Sequence, residues 1–220
     1  MNIVLIGGGN QVVYTIDIIE KQGLFNIVGI IDSRLEIGSD ICGYKIIGRQ
    51  EDINQLIDIY NFKGCVITIG DNWSRKCIFE QISNLSPNLS WPNAIHPSVI
   101  IGKNVKLGIG IIAMAGVIVN VEAKLGDFTN YFTRCNIEHH CIIGDFSSVS
   151  AGVVLGGRVT IGKYSAISLN ATVFDRVTIG ENSVIGSASL VTKDISNNVL
   201  VYGNPARIIR ERKLGEKFLK

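Results

Sequence analysis

The sequence has no charge bias: 21 basic residues stand against 19 acidic ones in 220, a net of +2. That balance excludes a protein that lives on nucleic acid or an anionic membrane surface, which needs a concentrated basic field. A long apolar run is missing too. The longest uncharged, mostly apolar stretch, Leu107 to Val121, falls short of the roughly 20 residues a membrane span requires. No basic segment or small-residue cleavage site precedes the strand-like run that begins at Ile3, so no secretory signal and a cytoplasmic location are expected. Cys42, Cys65, Cys77, Cys135 and Cys141 are odd in number and follow no metal-ligand spacing. In a reducing cytosol they read as small apolar residues, and no metal is expected. Histidine is scarce, at three residues. What the chain does have is apolar content, 46%, enough for a sizeable core in one large or two small domains.

The pattern of those apolar residues divides the chain near residue 94. Before it, short β-branched runs alternate with helical periodicity. Ile3 to Ile6 leads through Gly7-Gly8-Gly9 into a helical stretch from Gln11 to Gln22, and Ile27 to Ile31 ends at Asp32. Further units follow at Tyr44 to Ile47 with Asp52 to Tyr60, and at Cys65 to Ile69 with Trp73 to Ile82. Strands separated by helices predict a Rossmann-like βα domain on a parallel sheet over residues 1–94.

From Ile95 the period becomes six. Every sixth residue through Val191 is Leu, Ile, Val, Ala or Tyr, seventeen positions in succession. At the chain-wide apolar fraction, chance gives such a run about once in half a million trials per frame. The fourth residue after each is small or β-branched, and in eight of the seventeen hexads glycine follows the apolar position directly. This is the signature of a parallel β-helix over residues 95–206. Three hexads make one triangular coil, so residues 18 apart stack. The first and fifth positions of each hexad fill the interior, and the glycine is expected to supply a turn conformation that a Cβ would resist. Residues 207–220 read as a basic, solvated C-terminal tail.

Two features carry chemistry. Gly7-Gly8-Gly9 closes a strand and opens a helix, where backbone amides could hold a phosphate. The full dinucleotide fingerprint fails because Val12 stands where a third glycine is needed, so a mononucleotide moiety fits better. Asp32 could accept hydrogen bonds from a ribose or base; a tight turn with a solvated carboxylate is the plainer alternative. His139 and His140 occupy the third and fourth positions of the hexad that starts at Ile137, so both point outward, while His96 sits at the domain junction beside Pro97. Outward histidines are ordinarily surface residues. However, Gly157 and Val121 lie 18 residues after and before His139, which predicts a gap beside the imidazole. His140 stacks between Glu122 and Arg158.

The hexads resemble those of the bacterial hexapeptide-repeat acyltransferases, left-handed β-helices that assemble as trimers. Val201-Tyr202-Gly203-Asn204-Pro205-Ala206-Arg207 is similar to the G-x-P-A-[KR] element that closes the helix in that superfamily. With the βα domain and Ile95-His96-Pro97-Ser98, the chain resembles the sialic acid O-acetyltransferase and nucleotide-amino-sugar N-acetyltransferase family. The resemblance implies an acetyl-CoA-dependent N-acetyltransferase that acts on a nucleotide-linked amino sugar, a 4-amino-4,6-dideoxyhexose, in a homotrimer with active sites between subunits. O-acetylation of sialic acid is the first alternative, and a non-catalytic trimeric scaffold the second.

By the same resemblance the nucleotide lies against Gly7, Gly8, Gly9, Asn10, Gln11 and Asp32, although the family has Gly-Gly-His where this chain has Gly9-Asn10-Gln11. In Ile137-Glu138-His139-His140-Cys141, His139 matches the family's general base, with Glu138 or a neighbouring subunit expected to orient it. An acid is usual at His140, and Asn is frequent at Phe132. Acetyl-CoA is expected to border Ser148, Gly157, Leu169 and Ser187, with Lys193, Arg207 and Arg210 near its nucleotide phosphates.

Overall fold

The computed structural model describes residues 1–218. The first domain is a five-stranded sheet in which β1 (Asn2–Ile6) is flanked by β2 (Asn26–Ile31) and β5 (Gly64–Ile67), with β4 (Tyr44–Gly48) beyond β2 and the short β3 (Asp40–Ile41) at the edge. All neighbours run parallel except β3 and β4. Three helices cover it: α1 (Asn10–Gln22), α2 (Ile53–Tyr60) and α3 (Asn72–Leu85). Parallel strands buried on both faces need apolar residues throughout, which is why β1 is a continuous run. Ile3 and Leu5 pack with Val12, Ile16 and Ile19 of α1, while Val4 and Ile6 pack with the α2 and α3 side. Gly23 ends α1 in the left-handed region at φ 68°, its N–H donating to Ile19 O.

From Ala94 the chain winds into a prism. Among the described residues, seventeen two-residue strands form its three faces, one strand for each hexad. From Ala94–Ile95 to Thr172–Val173 each strand pairs in parallel with the one 18 residues on, as Ile118 and Val119 do with Asn136 and Ile137. The architecture is the expected left-handed β-helix. The first and fifth hexad positions fill the interior, a continuous column of Ile, Val, Leu, Ala and Cys with Tyr131 among them.

The glycines do something other than expected. The left-handed corner residue is the fourth of the hexad, and it is mostly not glycine: Asn104, Glu122, Phe128, His140 and Arg158 all have φ between 53° and 62°. The glycine at the second position has no positive φ. It is there because coils approach closely: a Cβ on Gly144 would lie 2.6 Å from Lys163 N, and one on Gly102 2.7 Å from Val121 N.

The βα domain sits on the prism face whose strands include Ile112–Ala113, Asn130–Tyr131 and Ser148–Val149. Ile112 and Met114 pack into the α1 side of its core. At the adjoining corner Phe128, Phe146 and Tyr164, each 18 residues from the next, stack with centroids 5.2 and 5.9 Å apart. Phe79 of α3, Trp91 and Trp73 pack on this column. Through the same contact runs Arg75, which is completely buried. It donates to Phe128 O at 2.8 Å, Ile69 O at 2.9 Å, Gly70 O at 3.0 Å, Asn72 Oδ1 at 2.9 Å and Phe146 O at 3.1 Å. Burial pulls its pKa down to about 9, against the opposing pull of Asp71.

The presumed tail is not free. Ala206–Glu211 is a strand antiparallel to Val199–Gly203, Arg212 is buried with Nε donating to Asn182 O, and Phe218 N donates to Asp71 Oδ2 at 3.4 Å. The last two residues of the expected 207–220 tail lie outside the described residues.

Candidate active site

The βα domain holds a cleft of about 750 Å³ at the carboxyl ends of its strands, where open α/β sheets place ligands. Gly7, Gly9, Asn10, Gln11 and Asp32, five of the six residues expected against the nucleotide, line it. Gly8 instead backs onto the loop after β2, where a Cβ would collide with Leu35 and Ile41. Gly9 caps α1 with extended backbone and no side-chain bond, so the first-turn amides have no capping side chain.

Asp32 is partly consumed by the fold. Its Oδ2 accepts from Gly8 N–H at 2.7 Å, and its Oδ1 from the N–H groups of Arg34 and Leu35 at 2.8 and 2.9 Å. Burial pushes its carboxyl up, but these three amides and the Arg34 charge outweigh it and hold the group below its ordinary value. It therefore stays ionised beside the glycine turn. Sequence reasoning missed Arg34, Trp73 and Lys217, which also line the cleft. No local motif marks them, and Lys217 arrives only because the C-terminal segment folds back. Phe132, from the prism, completes the wall.

His139 lies at the prism corner that follows the strand Asn136–Ile137, and its imidazole covers Gly157 in the next coil. A Cβ on Gly157 would stand 2.6 Å from His139 Nε2. The gap read from the sequence is thus taken up by the imidazole itself, because stacked coils leave no spare depth at a corner. Gly157 N donates to Asp175 Oδ1 at 2.9 Å, which fixes the glycine from the far side. His139 Nδ1 and His140 Nδ1 are 3.1 Å apart.

The expected orienting role of Glu138 is not what the structure shows. Its carboxylate accepts from Asn120 Nδ2 at 3.0 Å and Asn136 Nδ2 at 3.1 Å, both on its own side of the corner. The thiols of Cys135 and Cys141 face inward, and burial pushes them up to about 12 and about 11, so neither is a nucleophile.

The residues expected along the acyl donor separate. Gly157 is beneath His139, and Lys193 is exposed on the same corner column. Leu169 and Ser187 are exposed on the preceding corner, 18 residues apart, and Arg207 is exposed on the C-terminal strand. Ser148 cannot border a solvent groove. It is 1% exposed under the βα domain, its hydroxyl donating to Asn72 Oδ1 at 2.5 Å. It belongs to the one prism face the domain covers. Among the described residues no cluster of three His, Cys, Asp or Glu side chains could hold a metal ion, and no helix is long and apolar enough to cross a membrane.

A glycine turn on a βα domain, joined to a hexapeptide prism with one histidine seated over a glycine, is the arrangement expected of a hexapeptide-repeat acyltransferase. Residues 2–82 match the family of PglD N-terminal domains. PerB from Caulobacter crescentus, solved with CoA and GDP-perosamine, is 28% identical and superposes with a TM-score of 0.89 over 96% of this chain and 98% of that one. The acetyltransferase domain of PglB from Neisseria gonorrhoeae (23% identity, TM-score 0.83, 94% and 99% coverage) and WeeI from Acinetobacter baumannii (19%, 0.76, 95% and 100%) share the fold. No curated protein matches by sequence. Over nearly its whole length the chain is similar to nucleotide-amino-sugar N-acetyltransferases built on hexapeptide repeats.

Proposed function

We propose that this protein transfers the acetyl group of acetyl-CoA to the amine of a nucleotide-linked amino sugar, a 4-amino-4,6-dideoxyhexose, by direct attack with His139 as general base. The observation that carries the reading is the seating of the His139 imidazole over Gly157, with Nε2 the ring atom nearest the missing Cβ. The βα cleft supplies the sugar-nucleotide site: amides of the glycine turn and of the α1 N-terminus toward the diphosphate, with Asp32 and Arg34 at its rim. The amine nitrogen attacks the thioester carbonyl as His139 Nε2 takes its proton, and the tetrahedral adduct expels CoA as the thiol. No acyl-enzyme forms, since no thiol reaches the surface of this corner.

The proposed assembly is a homotrimer with active sites between subunits, in the cytoplasm. One geometric fact supports the shared sites. Phe132, which lines the cleft, and His139 lie on successive corners of the triangle with a flat face between them, an arrangement that favours a second copy bringing its own corner to the cleft. The similarity to PerB supports the choice of substrate class.

The test is thiol release from acetyl-CoA with UDP-, dTDP- and GDP-linked amino sugars, for the wild type and His139→Asn. Turnover with one of them, reduced by about 10² to 10⁴ in the variant with its oligomeric state unchanged, is the expected result. Turnover with free sialic acid alone would point to O-acetylation, and silence with every acceptor to a scaffold.

A further inference from the structure

We infer that His140 is the positioning residue of this site: its neutral imidazole accepts a hydrogen bond from His139 Nδ1–H and so fixes the tautomer that leaves Nε2 free. The inference rests on the proposed role of His139 as base and adds to it a second imidazole with a separate task.

Two nitrogens 3.1 Å apart, on rings inclined at 89°, are within hydrogen-bond range. Two lone pairs or two N–H groups facing one another at that distance would repel, so one nitrogen of the pair carries a proton and the other does not. The chemistry selects which. Nε2 of His139 covers the Gly157 notch and must hold a lone pair to accept the substrate's proton. A neutral imidazole with its lone pair on Nε2 carries its hydrogen on Nδ1. His139 therefore donates, and His140 accepts with its own hydrogen on Nε2, facing solvent.

The backbone holds both rings in place. His140 N donates to Val121 O at 3.0 Å in the coil before, and His139 O accepts from Arg158 N at 2.9 Å in the coil after. His140 occupies the left-handed corner of its coil at φ 60°. Among the described residues no other group competes for the role. Glu138 is engaged by Asn120 and Asn136, Glu122 in the preceding coil accepts from Asn104, Asp175 beyond the notch accepts from Gly157 N, and Asp194, three coils from His140, accepts from Thr178 N. Lys103, Arg158, Arg176 and Lys193, the other charged residues of the two stacks, have no acceptor atoms to offer.

The corner itself supplies variants that fold. Ala188 and Asn170 hold the same left-handed corner position in other coils, so the corner accepts both residues. His140→Ala removes the acceptor, and kcat is expected to fall roughly ten- to a hundredfold with both KM values unchanged. His140→Asn offers a carbonyl oxygen as acceptor in place of the ring nitrogen, and is expected to recover most of kcat. A His140→Ala enzyme within twofold of wild-type kcat would overturn the inference, as would a His140→Asn enzyme no faster than His140→Ala. Failure of the base reading is separately visible, because it would leave His139→Asn active whatever His140 does.

Discussion

At the scale of single residues the site depends on a missing atom. Gly157 has no side chain, and the imidazole of His139 occupies the volume a Cβ would need. The stacking period exposes the pairing of these two residues in the sequence, but not its sense: a gap for the thioester is what the letters suggest, and a seat for the imidazole is what the packing makes. Gly157→Ala separates the two. A methyl 2.6 Å from Nε2 forces the ring to rotate away, which breaks its contact with His140 and moves the base off line. Misplacement of that order costs about 10²-fold in kcat. The variant should keep its fold, because the ring has solvent to move into, and it should keep its KM for the sugar nucleotide, which is held on another domain. An alanine that merely narrowed an acyl channel would instead raise KM for acetyl-CoA with kcat intact.

At the scale of elements the hexad is both the most legible feature of the sequence and the one whose internal logic was misread. A frame that survives seventeen repeats fixes which residues point inward, because only a coil of constant length keeps residues 18 apart in register. It does not reveal why glycine follows the inward residue, since close approach and left-handed backbone leave the same letter. Paired substitutions distinguish them. Gly144→Ala pushes a Cβ against Lys163 N and the Gly162 carbonyl carbon, backbone atoms that cannot give, and should cost about 1–3 kcal/mol in denaturant unfolding. Ala188→Gly relieves a Cβ at φ 56° and should leave stability unchanged or raise it by up to about 1 kcal/mol. If the second-position glycines served the turn, the loss would fall where φ is positive instead. The same regularity hid the column Phe128, Phe146, Tyr164: its 18-residue spacing is plain in retrospect, but an outward aromatic has no meaning until a second domain is known to cover it.

At the scale of the whole molecule, the question is how a cleft on one domain keeps its position relative to a histidine on the other. Nothing in the sequence answers it, because Arg75 and Asn72 sit in an ordinary amphipathic helix, and their partners are carbonyl oxygens that any residue could provide. The structure makes Arg75 the clamp. The guanidinium reaches Ile69 and Gly70 in its own domain and Phe128 and Phe146 in two successive coils of the prism, a spread that needs a planar fork. Lysine has one nitrogen and cannot span it. Arg75→Lys should leave the Phe128 and Phe146 carbonyls without the partner they have now, at about 1–3 kcal/mol each. The two tryptophans make the loss observable, since Trp73 packs on Tyr164 and Trp91 on Phe128, both at this junction. In the wild type, tryptophan fluorescence and far-ultraviolet circular dichroism should report one coincident unfolding transition in urea, as a cooperative unit does. In Arg75→Lys the fluorescence transition should come first, when the βα domain lifts from a prism that is still coiled, and kcat should fall as the cleft loses its fixed distance from the chemistry. Coincident transitions at an unchanged midpoint would mean that the apolar column alone joins the domains and that the buried arginine contributes nothing to their coupling.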